Sequence, residues 1–259
     1  MKLFNTPRLL MLATLTLLGL AVFASLYFAN LGQKHKQLAS SPNEAQIKQI
    51  IEDHLLSNPE IIQKAVQELE RRFAEEEKKQ QAKVLAENKD LLLNEKYSFH
   101  TGNKTGDITV VEFFDYNCGY CRQALNNLVK LLEEDKNVRL VLKEYPILSE
   151  ASQNAALAAL AARKQGKYLE FHQALLKAKG GINAAVVERI GKKIGLDIDQ
   201  LKKDMQSDEI KQALAKNVEV GQKLGVRGTP TFIINDQVFS EAIPYETMKS
   251  IIATIRKTS

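Results

Sequence analysis

Cysteine is scarce in this chain: there are two, Cys118 and Cys121, among 259 residues. Structural zinc needs four ligands, and the four histidines, His35, His54, His100 and His172, form no Cys/His spacing that would complete a set. A purely structural bridge between the two cysteines would close too small a loop to constrain the unfolded chain. Also missing is any basic stripe interleaved with aromatics. The net charge of +5 comes from Lys and Arg mixed among Asp and Glu, which is a solvated surface and excludes a nucleic-acid partner. The apolar fraction of 44% supports a real core, and the length fits one domain with appendages or two small domains. Charge is absent from Leu9 to Gln33. The apolar run Leu9 to Leu31, 23 residues behind Lys2 and Arg8, could span a bilayer core of about 30 Å. It is longer than the about 7–15 residues of a signal-peptide core, although Val22-Phe23-Ala24 resembles a cleavage site. Residues 1–32 therefore read as a signal peptide or a membrane anchor. Either sends the rest across the inner membrane, with the anchor form tethered by residues 9–31.

The two cysteines end a distinctive stretch. Val110 to Phe114 is β-branched and aromatic and reads as a buried strand. Gln123 to Leu132 reads as a helix with apolar residues at 124, 125, 128, 131 and 132. Cys118 and Cys121 lie between them, on the first helical turn. Unpaired N–H groups and the positive end of the helix favour an anion there, so Cys118 is expected to be an exposed thiolate nucleophile at neutral pH. Cys121 is spaced to form a disulfide with it and to resolve mixed disulfides. Glu112 is a charged residue inside the apolar strand. It is either a buried acid taking the proton of Cys121 or an edge glutamate facing water. Asp115 suits the turn that starts the helix.

Phe-Phe-Asp-Tyr-Asn-Cys-Gly-Tyr-Cys resembles the active site of the DsbA family of thioredoxin-fold proteins. Val141 to Ile147 resembles that family's next strand, and Gly225 to Phe232 its cis-proline loop, so the resemblance covers about residues 97 to 259. It implies an α/β thioredoxin fold with a helical insertion. It further implies a buried acid at Glu112, Lys143 near that acid to tune it, and a cis Thr229-Pro230 bond against the cysteines that offers backbone groups to a substrate strand. It needs no cofactor or resident metal. Gly119-Tyr120 replaces the Pro-His of strongly oxidising members. With Thr229 before the proline, the pair resembles bacterial disulfide isomerases. Gly119 and the exposed Tyr120 are thus substrate-side residues that tune redox potential. His172 is assigned no role.

Ahead of this domain, Asn43 or Ser41 caps a helix with the stripe Ile47, Ile50, Ile51 and Leu55. Asn58-Pro59 starts a second helix with Ile61, Ile62, Ala65, Val66, Leu69 and Phe73 inward, continued as a solvated helix through the charged stretch to Lys83. Two such helices are too small for their own core. Residues 33–96 therefore read as a helical oligomerisation segment and linker, or as a hairpin folded back on its own domain. The ScsC-like branch of the family, which carries such a segment, favours oligomerisation. On this reading, deleting 33–90 leaves a folded monomer.

The remaining pattern predicts strands at 138–145, 231–234 and 238–239, and helices near 153–163, 168–177, 186–194, 210–224 and 245–255. The expected function is a periplasmic thiol-disulfide oxidoreductase and isomerase, homo-oligomeric, acting on cysteine-containing exported proteins and served by a membrane redox partner. Competing readings are a monomeric dithiol oxidase, a Cu(I)-binding dithiol protein, and a non-catalytic protein whose helices are its working part.

Overall fold

A computed structural model describes residues 22–29 and 43–258. Most of the run 9–31 lies outside the described residues. Within it, 22–29 are helical, and among the described residues no helix is long and apolar enough to cross a membrane. The chain divides into two compact units between Phe73 and Ala74.

The first unit contains α1 (Glu44–Ser57) and the start of α2 (Glu60–Glu87). Asn43 caps α1 with a reciprocal box. Its side chain accepts from the Gln46 N–H at 2.9 Å, and the Gln46 side chain accepts from the Asn43 N–H at 2.9 Å. No residue of α1 is buried, and Ile47, Ile50, Ile51, Ile61, Ile62, Val66, Leu69 and Phe73 are all exposed.

The second unit takes the end of α2, α3 (Lys89–Leu92), β1 (Phe99–Gly102), β2 (Ile108–Phe114), α4 (Gly119–Glu134) and β3 (Val138–Glu144). Five helices follow: α5 (Glu150–Ala162), α6 (Tyr168–Lys177), α7 (Ala184–Lys193), α8 (Ile198–Met205) and α9 (Asp208–Lys223). β4 (Thr231–Ile234), β5 (Gln237–Phe239) and α10 (Tyr245–Thr258) close the chain. The sheet order is β1-β3-β2-β4-β5, with β2 and β3 parallel and the other pairs antiparallel. A parallel pair needs a crossover, and α4 is that crossover. It explains why a strand, the cysteines and a helix follow one another directly. β1 and α8 had no clear signal. β1 is short and half-buried, and α8 spans only 8 residues.

Strand alternation gives the sheet two faces. Val110, Phe114, Leu140, Leu142, Phe232 and Ile234 pack with α4, the α5–α8 helices and α10. Val111, Phe113, Val141, Tyr145 and Ile233 pack on the other face with Leu85, Leu92, Val220 and Val226. Leu85 and Leu92 pack in the second unit's core, so that core takes in residues ahead of the expected start of the catalytic domain at residue 97. Deleting 33–90 would remove Leu85 and uncover that face, so a clean truncation begins at Ala74. α9 comes so close to this face that a Cβ on Gly221 would collide with the Tyr145 ring.

Candidate functional site

β2 delivers the chain to the dithiol. Asp115 turns it: its Oδ1 accepts from the Asn117 N–H at 2.8 Å, its Oδ2 from the Leu148 N–H at 3.0 Å, and its carbonyl from the Cys118 N–H at 3.1 Å. Cys118 is the N-cap of α4 in extended backbone, and its Sγ accepts from the Cys121 N–H at 3.4 Å. The sequence placed both cysteines inside the first turn. In the structure one is the cap and the other the third helical residue, and that difference separates their chemistry.

The Cys118 thiol is held down to about 5, chiefly by the hydrogen bond from the Cys121 thiol, helped by the Thr229 side chain and the N–H groups of Cys121 and Tyr120, against the opposing effect of burial. The Cys121 thiol is pushed far up, because it is the donor in that pair, is buried, and faces the Glu112 charge. Both cysteines are free. Cys118 is less open than expected, at 6% exposure against 0% for Cys121, because the loop before β4 covers it. The Cys118 thiol meets the Thr229 carbonyl at 3.0 Å, and the Thr229-Pro230 bond is cis. Topology makes this meeting: Thr231 pairs with Phe113, so antiparallel β4 starts where β2 ends. Tyr120 is 64% exposed, and a Cβ on Gly119 would touch nothing.

Glu112 is buried with neither carboxylate oxygen hydrogen-bonded, and burial and the Cys118 charge raise it to about 8. The structure does not bring Lys143 to it. Glu112 pairs with Leu142, and Lys143 pairs with Phe113, so the two side chains leave opposite faces of the sheet. The Lys143 ammonium donates to Leu91 O at 3.1 Å and Asn217 Oδ1 at 3.3 Å, and burial lowers it to about 7. The expectation that Lys143 tunes Glu112 is therefore corrected: residues on adjacent strands share a face only where the pleat alternation puts them on it.

Sequence reasoning missed a second buried acid. The Glu144 Oε1 accepts from the Tyr168 hydroxyl at 2.7 Å and the Tyr116 hydroxyl at 3.0 Å. The Tyr116 hydroxyl also meets His172 Nδ1 at 3.2 Å. Burial raises Glu144 and lowers His172 to about 3, so the histidine is neutral at physiological pH. The signal was available. Glu144 ends an apolar strand as Glu112 interrupts one. Among the described residues no cluster of His, Cys, Asp and Glu is arranged to hold a metal ion.

Comparisons with known proteins agree with this geometry. The Thioredoxin family matches residues 94–254, and the "Copper resistance protein ScsC N-terminal domain" matches residues 43–76. A "Probable disulfide bond formation protein D" of Bacillus cereus is 30% identical over 179 residues, covering 61% of this chain and 81% of that protein. A thioredoxin-like oxidoreductase from Silicibacter pomeroyi superposes with a TM-score of 0.64 at 44% identity, over 66% of this chain and 99% of that one. Proteus mirabilis ScsC in a transitional conformation gives 0.61 at 31% identity, over 83% and 96%. The chain also matches the "Na(+)/H(+) antiporter NhaA 3" of Salinispora tropica, 32% identical over 136 residues, and there it spans only 21% of that protein's length. A dithiol capped by a helix, a cis-proline loop laid against it and matching families over both units place this chain in the thioredoxin superfamily, on its DsbA-like, ScsC-type branch.

Proposed function

We propose that the protein is an extracytoplasmic thiol-disulfide oxidoreductase with isomerase activity, working as a homo-oligomer. The observation that carries this reading is the asymmetry of the two thiols: one ionises at about 5 and the other is held protonated. The Cys118 thiolate attacks one sulfur of a substrate disulfide. A Cys118–substrate bond forms, the substrate S–S bond breaks, and one substrate thiolate leaves. Two outcomes follow. In reduction, the mixed disulfide removes the Cys118 charge that helps hold Glu112 protonated, so Glu112 gives its proton to solvent. The carboxylate then takes the proton of Cys121, which attacks the Cys118 sulfur, releasing the second substrate thiolate and leaving a Cys118–Cys121 disulfide. In isomerisation, a substrate thiolate attacks the mixed disulfide and Cys118 leaves as a thiolate, with no net electron transfer. Thr229 and Pro230 line the approach to Cys118, and Gly119 and Tyr120 form its outer edge.

The exposed isoleucine-rich stripe of the first unit supports self-association, since two helices without a buried core need a partner. Several dithiols in one assembly would recapture a mispaired substrate before it escapes. Substrates on this reading are cysteine-containing exported proteins, and a membrane redox partner resets the dithiol. The test pairs recovery of a scrambled-disulfide protein with sedimentation of the soluble ectodomain. A wild-type assembly that restores activity, and a chain starting at Ala74 that is monomeric and loses isomerisation but keeps dithiol exchange, is the expected result. A monomeric ectodomain at micromolar concentration sinks the oligomer. A Cys118→Ala variant that keeps full activity sinks the chemistry.

A further inference from the structure

The residues flanking the dithiol grip one loop of the helical insertion. Asn117 immediately precedes Cys118, and Arg122 immediately follows Cys121. Asn117 pairs with Ile182 in both directions: its Oδ1 accepts from the Ile182 N–H at 2.7 Å, and its Nδ2 donates to the Ile182 carbonyl at 3.1 Å. Nδ2 also reaches Ser152 Oγ at 3.1 Å. The Arg122 guanidinium donates to the carbonyls of Ala178 and Gly180, each at 2.6 Å, and to Tyr116 O at 3.4 Å. The loop between α6 and α7 thus turns the carbonyls of 178, 180 and 182, every second residue, toward the two flanks of the dithiol. Arg122 is a cation in the opening turns of α4, where the helix dipole opposes it. Three carbonyl acceptors offset that cost, so the site is built around the loop.

The Ala178 N–H is taken by the Leu175 carbonyl at 3.2 Å, but the middle of the loop is open. Lys179, Gly180 and Gly181 are exposed, and none of the described hydrogen bonds engages the backbone of Lys179 or Gly181. Gly180 has φ +78 and Gly181 has no side chain to screen the main chain. Cys118 therefore sits with the Thr229 carbonyl on one side, while the residue before it holds the 178–182 loop. Unpaired backbone beside a nucleophile is what an extended peptide pairs with.

We infer that Asn117 and Arg122 are positioning residues that hold the 178–182 loop beside the dithiol as a second backbone wall, and that this wall binds extended polypeptide substrates but not small disulfides. The inference rests on the thiol-exchange reading above and names its substrate class: a disulfide carried on an unfolded segment. Losing a pair of side chain–backbone bonds should loosen the wall without touching the donors that hold the Cys118 thiolate.

The test uses the full-length protein, with wild type, Asn117→Ala and Arg122→Lys assayed on an unstructured disulfide-bonded peptide and on a small aromatic disulfide. Thiolate absorbance follows Cys118 ionisation. In both variants the KM for the peptide should rise about tenfold, with a smaller change in kcat, on the scale of one or two hydrogen bonds. The ratio of peptide to small-disulfide kcat/KM should fall accordingly, with Cys118 still ionising near 5. Equal losses on both substrates, or an unchanged ratio in the folded Arg122→Lys variant, would overturn the wall. A wild-type protein that exchanges with neither disulfide would overturn the thiol-exchange reading itself, and the wall with it.

Discussion

The two faces of the central sheet each bury an ionisable side chain from adjacent strands, and the two are treated in opposite ways. On the face toward the dithiol, Glu112 has no hydrogen-bond partner and is pushed up by burial and by the Cys118 charge. On the other face, Lys143 is pushed down by burial alone and donates to Leu91 and Asn217. A buried polar group left without a partner costs stability, and one that is bonded recovers much of that cost. The lysine is therefore a structural tie between β3, the segment after α2, and α9. The glutamate is the group left without a partner, free to exchange a proton with Cys121. The lesson is that burial of charge alone does not mark a functional residue; burial without satisfaction, beside a reactive group, does.

The strongest way to break this comparison is to remove the lysine. Lys143→Ala deletes a long buried stem and strands two acceptors, so about 3 kcal/mol of stability should be lost in urea denaturation. The Cys118 thiolate should still titrate near 5. If the Lys143→Ala protein shifts that titration, the faces are coupled and the distinction fails.

Glu112→Gln should act the other way. A proton acceptor positioned for Cys121 is worth about a hundredfold in rate, so formation of the Cys118–Cys121 bond from a mixed disulfide should slow by that order. Alkylation of Cys118 should be little affected. The pH dependence of stability carries the sign. Glu112 holds its proton more tightly folded, at about 8, than at its ordinary 4.5, so its contribution is complete below 4.5 and is lost as pH rises through about 8. Lys143 has the opposite sign: its contribution is complete above 10.5 and is lost as pH falls through about 7. Urea midpoints against pH should lose their decline between 4.5 and 8 in Glu112→Gln and keep it in Lys143→Met. Matching curves in the two variants would erase the contrast.

Much of this was legible in the chain. The run 231–234 is a strand over the range expected, and 110–114 lies in a strand that starts two residues earlier, because buried strands are short and bounded by turns. Asn43 marks a helix start through cap chemistry that is local in sequence, whereas Asn58, expected to cap the start of α2, closes the end of α1, its Nδ2 donating to the His54 carbonyl at 2.8 Å. What is not local was lost. The opposition of Glu112 and Lys143 depends on the β2–β3 register, which a one-residue slip would reverse. The Leu85 and Leu92 contacts cross from a stretch that reads as a stalk into the core. Asn117 and Arg122 gave no signal because their partners are backbone carbonyls some sixty residues away, and a carbonyl has no letter in the sequence.

A smaller effect tests the second acid of the dithiol face. Glu144→Gln keeps an acceptor for the Tyr116 and Tyr168 hydroxyls, and should cost about 1 kcal/mol or less. Glu144→Ala strands both hydroxyls and should cost several times more by the same urea assay. Equal losses would mean that the hydroxyls find other partners.

The smallest effect belongs at the rim of that face, at Gly119. This residue is the first of α4, its φ is not positive, and a Cβ there would meet nothing within 4 Å. Alanine can therefore be accommodated without strain, and it narrows the unfolded ensemble that glycine leaves wide. Gly119→Ala should stabilise the reduced protein by about 0.5 kcal/mol. The donors to Cys118 sit at Tyr120, Cys121 and Thr229, so the thiolate should keep its ionisation near 5. Substrate work can differ from stability here, because the new methyl projects into space that an incoming chain would use. A small rise in KM for a peptide disulfide, alongside a raised urea midpoint, would place residue 119 on the substrate's path. A lowered midpoint would show that the space beside the dithiol is already filled.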